Sequence, residues 1–172
     1  VIIRGNRSPA GAAKTAKERT AILRKWFDLI VANADDIALI MTSEQGKPLA
    51  QSKAEIQSGI AYVEWMAEEG RRVYGDVIPT HNASHRLVTY KQPIGVCAMI
   101  TPWNFPSSMI TRKAGPALAA GCTVVIKPSE LTPFSAFALA ELAERAGIPK
   151  GVLNIVTGDA QPIGKEMTES PI

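Results

Sequence analysis

The sequence predicts an α/β fold in which a helical layer precedes a parallel β-α-β-α-β unit. Three observations predict it. Up to Arg72, apolar side chains recur at three- and four-residue spacing, the mark of helices that bury one face. From Pro93 onward, short apolar runs alternate with helical segments, and such alternation with short loops implies parallel strands joined by right-handed crossovers. Two of the apolar runs stop at polar loops, Thr101-Pro102-Trp103-Asn104-Phe105-Pro106 and Lys127-Pro128-Ser129-Glu130. Ligands of open parallel sheets sit outside the carboxyl ends of the strands, so Asn104, Lys127 and Glu130 fall where a ligand is expected.

The helical layer comes first. Residues 1–14 have no clear period. Thr15-Ala16-Lys17-Glu18 then matches a capping box, and Ile22, Trp26, Leu29 and Ile30 share a face to about Ala32. Asn33-Ala34-Asp35-Asp36 reads as a break and a new cap, with Ile37, Ile40 and Met41 on the next face, ending before Gln45-Gly46-Lys47-Pro48. A longer helix is expected from near Leu49 to about Arg72, with Ile56, Ile60, Val63 and Ala67 on one side. Tyr62, Trp65 and Met66 are expected to widen its core face.

After Tyr74 the period changes. Gly75-Asp76-Val77-Ile78-Pro79 and the partly alternating Arg86-Leu87-Val88-Thr89-Tyr90-Lys91 flank a polar loop, which suggests a hairpin-like excursion. His81 and His85 lie in or beside that loop without a ligand partner at metal spacing and read as solvated; no metal site is expected. The parallel strands are expected at Ile94 to Ile100, Thr123 to Ile126 and Val152 to Val156, with helices near 107–119, 133–146 and 160–168. Thr132-Pro133 supplies an N-cap followed by the proline favoured at the first helical position.

Composition narrows the function classes. The 172 residues are 46% apolar and 20% charged, and the net charge of +3 comes from nineteen basic residues scattered among sixteen acidic ones. No basic stripe of the kind that binds nucleic acid is present. No apolar run approaches the roughly 18 residues of a membrane span, and the opening Val1-Ile2-Ile3-Arg4-Gly5 is too short to be a secretory signal. Cys97 and Cys122 lie in or at the start of apolar runs and read as small buried thiols in a reducing, cytoplasmic setting. The chain has no initiator Met, which suggests that it begins inside a longer protein.

The Gly-x-Gly-x-x-Gly fingerprint is absent, and Pro102 and Pro106 remove donors that a pyrophosphate turn would use. Any nucleotide must be held differently. The three motifs Thr101 to Pro106, Gly115-Pro116-Ala117-Leu118-Ala119-Ala120-Gly121-Cys122 and Lys127 to Glu130 closely resemble the aldehyde dehydrogenase superfamily, from about Pro9 to the last residue. Within it, Glu44-Gln45-Gly46-Lys47-Pro48-Leu49, Glu64-Trp65-Met66-Ala67-Glu68-Glu69 and Met109-Ile110-Thr111-Arg112-Lys113-Ala114-Gly115 are most similar to the succinate-semialdehyde dehydrogenases. The resemblance implies part of the aldehyde dehydrogenase fold: a partial NAD(P)-binding domain. Residues 1–74 would form its helical layer, 75–92 a hairpin-like excursion and candidate oligomerisation element, and 93–172 a Rossmann-like half.

The resemblance also implies roles. Asn104 matches the family's oxyanion donor, a side-chain amide set to meet the negative oxygen formed when a thiolate attacks an aldehyde. Lys127 and Glu130 match contacts to the adenosine ribose of the cofactor, with Ser129 beside them. Ile100, Thr101, Pro102 and Trp103 would line the same groove, and Gly158 would let backbone approach the adenine side. Arg112 matches the residue that meets the substrate's distal carboxylate, which suits a planar bidentate donor; Lys113 matches a residue lining the catalytic tunnel.

The family's nucleophile segment Gly-Gln-x-Cys, its base segment Glu-Leu-Gly-Gly and its cofactor turn Phe-Thr-Gly-Ser do not occur here. Neither Cys97 nor Cys122 has the nucleophile's context. The expectation is an internal piece, inactive alone, of an enzyme that oxidises an aldehyde to an acid through a thiohemiacetal. The substrate expected is succinate semialdehyde, or alternatively another aldehyde such as glutarate semialdehyde, and the cofactor is NAD, with NADP as the alternative. The complete enzyme is expected to be a homo-oligomer with no nucleic-acid or membrane partner. The rival expectation is a non-catalytic scaffold or oligomerisation fragment.

Overall fold

The helical layer forms where its apolar stripes meet one another and the later helices. In the computed structural model, which describes residues 13–170, α1 (Ala16–Ala32), α2 (Ala34–Gln45) and α3 (Leu49–Glu69) are separated only by Asn33 and by Gly46-Lys47-Pro48. The capping box of α1 is made: Glu18 N donates to Thr15 Oγ1 at 3.3 Å and Thr15 N to Glu18 Oε2 at 2.7 Å. Its buried stripe is Thr20, Leu23, Trp26 and Ile30, with Ile22 and Leu29 at the edge, slightly to one side of the expected face. Trp26 is fully buried, and its indole N–H donates to Leu139 O at 3.1 Å.

Two local caps differ from expectation. Asn33 precedes α2, but its amide donates back to Leu29 O at 2.7 Å and closes α1, leaving α2 without a side-chain cap. Thr132 precedes α5 (Pro133–Ala146), yet its buried hydroxyl has no partner; the donors of that helix are taken from far along the chain, as described below. The outer aromatics of α3 also depart from core packing. Ile56, Ile60, Val63 and Ala67 are buried as expected, whereas Trp65 is exposed and Tyr62 half-buried. Trp65 lies two residues from Val63, near the opposite side of a helix with 3.6 residues per turn.

The excursion is a minimal antiparallel hairpin, β1 (Val77–Ile78) with β2 (Leu87–Val88), and all four side chains are exposed. His81 and His85 are exposed with it. At its base, a side chain on Gly75 would fall inside the Thr89 carbonyl, so only glycine fits.

The sheet is parallel, in the order β3 (Val96–Ile100), β4 (Thr123–Lys127), β5 (Leu153–Ile155). Val96 pairs with Thr123 and Ile100 with Lys127, so β3 and β4 end together. The first strand starts later than expected because Gly95, at φ 108°, breaks the extended run and leaves Ile94 exposed. The third is shorter, although Val152 O and Val156 N still bond to β4. Helix α4 (Ser108–Ala120) joins β3 to β4, α5 joins β4 to β5, and α6 (Ala160–Glu169) follows.

The main interface places α3 against α4. Gly59 sits at the contact: a Cβ there would lie 3.1 Å from Thr111 Oγ1 and 3.4 Å from Ser108 Cα. This close approach brings the residue one turn earlier, Glu55, onto the first turn of α4.

Candidate functional site

The loops that follow β3 and β4 leave the sheet side by side, since Thr101 N still donates to Lys127 O at 3.1 Å. Beyond that bond, Thr101 to Pro106 turns across the end of the helical layer. Glu55 fixes the far end of this loop. Its side chain is 1% exposed, and its Oε1 accepts from Ser107 N at 3.0 Å and from Ser108 N at 3.1 Å, donors that a helix start would otherwise leave unpaired. The other oxygen accepts from Lys47 Nζ at 2.6 Å, and the same ammonium donates to Asn104 O at 2.9 Å. Gln45 adds a second strap, its Nε2 donating to Trp103 O at 3.0 Å and to Asn104 O at 2.9 Å.

Beside this loop lies an open cavity of about 830 Å³, lined among others by Tyr62, Trp103, Asn104, Phe105, Met109 and Arg112. Asn104 and Arg112 therefore share one space, because Asn104 precedes α4 and Arg112 stands on its second turn. Lys47 also lines the cavity, but its charge is committed to Glu55, and it stands 4.8 Å from the centre of the Phe105 ring. Arg112 makes no ion pair among the described residues; its guanidinium lies 5.9 Å from the Tyr62 ring centre. Lys113, the next residue on the helix, is directed elsewhere and donates to Ile100 O at 2.8 Å. It is not part of the cavity wall.

At the end of β4, burial divides a charged pair. The Lys127 side chain is 4% exposed and Glu130 is 56% exposed, and they meet at 2.7 Å. The hydrogen bond from Lys127 holds the Glu130 carboxyl below its ordinary value, helped by a backbone donor and the Lys127 charge. Ser129 is buried, and its hydroxyl accepts from Leu131 N at 3.2 Å. Thr101 is buried nearby at the end of β3 with a hydroxyl that has no partner. Ile100 at the end of β3 and Pro102 and Trp103 on the loop that follows are exposed. Gly158 follows β5 at the same end of the sheet, with φ 142°.

Neither crossover helix offers its N-terminus to a phosphate. Glu55 takes the first donors of α4, and Glu44 takes those of α5, accepting from Phe134 N at 2.7 Å, from Ser135 N at 2.9 Å and from Ser135 Oγ. An anion at either end would meet a carboxylate, in keeping with the absence of the glycine fingerprint. The two thiols are poor nucleophiles where they lie: burial, with the Cys122 thiol beside it, pushes Cys97 up to about 11, and Cys122 is buried.

Four of these residues, Glu44, Gln45, Lys47 and Glu55, were not singled out as site residues by the sequence reading. One signal was available. Glu55 lies four and eight residues before Gly59 and Val63, so it is a carboxylate on the buried stripe of α3 and calls for a partner.

The sequence profile of the aldehyde dehydrogenase family matches residues 6–172. The chain is 63% identical over 95% of its length to the succinate-semialdehyde dehydrogenase [NADP(+)] of Escherichia coli (strain K12), covering 34% of that protein. To the glutarate-semialdehyde dehydrogenase of Pseudomonas aeruginosa it is 63% identical over the same shares of the two chains. Among solved structures, an aldehyde dehydrogenase from Brucella melitensis biovar abortus 2308 superposes with a TM-score of 0.92 at 64% identity, covering 93% of this chain and 33% of that one. The chain thus spans about a third of the length of the relatives it matches. With its parallel sheet, its two strand-end loops and these likenesses in agreement, the chain belongs to the aldehyde dehydrogenase family.

Proposed function

We propose that this chain is the part of a semialdehyde dehydrogenase that holds the aldehyde oxygen, the far end of the substrate and the sugar end of a nicotinamide cofactor. The observation that carries the reading is the shared cavity. An amide, Asn104, and a cation free of carboxylate partners among the described residues, Arg112, face one space, while the other cation there is neutralised by Glu55. A substrate with an aldehyde at one end and a carboxylate at the other matches that pair. Succinate semialdehyde is the substrate we favour; glutarate semialdehyde, one methylene longer, is the alternative. The E. coli and P. aeruginosa relatives carry those two names.

Asn104 would donate to the carbonyl oxygen as a thiolate adds to the carbon and charge builds on the oxygen. The thiol itself would come from outside these residues, given the burial of Cys122 and the raised Cys97, so the segment would not turn over alone. Bound at the strand ends, the cofactor would accept the hydride from the substrate carbon. The residues present fit its sugar end through Glu130, which turns a carboxylate outward that can accept from ribose hydroxyls, whereas the Thr101 hydroxyl is enclosed and would lie beneath the groove. Ile100, Pro102, Trp103, Ser129 and Gly158 would shape that groove, and Lys113 would steady its edge through Ile100 O. We favour NAD, a cytoplasmic setting, and a homo-oligomer in which the apolar hairpin meets a second copy.

Arg112→Ala in the full-length enzyme tests the substrate reading. It should raise KM for a carboxylated semialdehyde much more than for an uncharged aldehyde, since a charge-assisted hydrogen bond is worth about 1.5–3 kcal/mol. Equal losses on the two substrates would show that Arg112 is structural.

A further inference from the structure

We propose that Lys47, held by Glu55, is the positioning residue for the Asn104 loop, an inference that rests on the oxyanion role given to Asn104. Glu55 by itself would satisfy Ser107 N and Ser108 N; what the ammonium adds is a link from that buried carboxylate to the carbonyl of Asn104 itself. Its partners fall on three sides: Glu55 Oε2 at 2.6 Å, Asn104 O at 2.9 Å and the face of Phe105 at 4.8 Å. The Lys47 side chain is 12% exposed, so water competes little for these contacts. Gln45 Nε2 holds the preceding carbonyl and shares the Asn104 one.

The backbone that bears the amide is thus fixed from the turn between α2 and α3, not from within its own loop. An amide must already point at the place where charge develops, and a displacement of about 1 Å can cost a factor of about 100 in rate. Once Lys47 is committed in this way it does not compete with Arg112 for a substrate carboxylate, so the same ion pair also keeps the two ends of the cavity chemically distinct.

The test is a mutant cycle in the full-length enzyme, read as the single-turnover rate of hydride transfer and as KM for the cofactor. Lys47→Met should lower the rate by about 10- to 100-fold with the cofactor KM unchanged, and Asn104→Ala by about 100- to 1,000-fold. In the double variant the rate should fall no further than in Asn104→Ala, because the clamp acts only through that amide. Glu55→Gln, which keeps an oxygen for the two backbone donors but turns an amide towards Lys47, is read in the same cycle and serves where Lys47→Met does not fold. A full loss in Asn104→Ala beside an unchanged rate, or a multiplicative loss, in the clamp variants overturns the proposal alone. An unchanged rate in Asn104→Ala overturns the oxyanion reading and the proposal with it.

Discussion

Glu130 and Lys127 show how burial assigns work within a pair of opposite charges. The ammonium is enclosed and already bonded, so the carboxylate is the group turned outward at the end of β4. Ribose hydroxyls can donate to it, whereas a 2′-phosphate would bring like charges together there. NAD should therefore be preferred over NADP by tenfold or more, a ratio that about 1.4 kcal/mol supplies. In Glu130→Ser the repulsion goes and Lys127 is released to pair with phosphate, so the preference should narrow or reverse. Comparing kcat/KM for both cofactors in the full-length enzyme and the variant checks this; an unmoved ratio would remove Glu130 from the choice. Because Lys127 holds the carboxyl below its ordinary value, the charge is complete throughout the neutral range and the preference should be flat there.

At the scale of elements, the recurrent device is a helix capped by a carboxylate from another helix. The start of α5 illustrates it best, since two candidate caps are present and only one is used. Thr132 occupies the capping position with an idle hydroxyl, while Glu44 reaches across from α2 to the first amides. Glu44→Ala should cost about 1–2 kcal/mol, the usual worth of a helix cap with its favourable dipole contact, and should speed hydrogen exchange at the Phe134 and Ser135 amides. Thr132→Ala should cost little or stabilise slightly, because it removes a buried hydroxyl that bonds to nothing. Urea unfolding and amide exchange on the full-length protein measure both; equal effects would return the capping role to Thr132.

Across the whole molecule, the features legible in the sequence are those set by neighbours within a turn or a strand. The capping box at Thr15 and Glu18, the stripe Ile56, Ile60, Val63, Ala67 and the alternation after Pro93 all depend on short-range spacing. The clamp on Asn104 does not: Glu55 and Ser107 are 52 residues apart, and Glu44 and Phe134 are 90. Only the packing of α3 on α4 and of α2 near α5 brings them together, so a carboxylate on an apolar stripe was the sole local trace. Trp65 departs from the expected core face because its angular position on α3, and not its aromatic character, decides its exposure. The hairpin was legible as such, and its exposed Val77, Ile78, Leu87 and Val88 leave open edges that invite pairing. If that pairing joins copies of the full-length enzyme, Val88→Lys should shift it to a smaller species by analytical ultracentrifugation; an unchanged mass would place the contact elsewhere.

The short turn Gly46-Lys47-Pro48, with Glu44 and Gln45 before it, serves two destinations at once: Glu44 fastens the start of α5, whereas Gln45 and Lys47 fasten the loop ahead of α4. It therefore acts as a datum from which two strand-end loops are measured. Its length is consequently far less free than that of an ordinary surface connection. A residue added at Gly46 would shift Lys47 relative to Glu44 and Gln45, so that one loop or the other lost its reference. A change in what this chain binds would then have to be made in the loops themselves, with the turn beneath them kept to gauge.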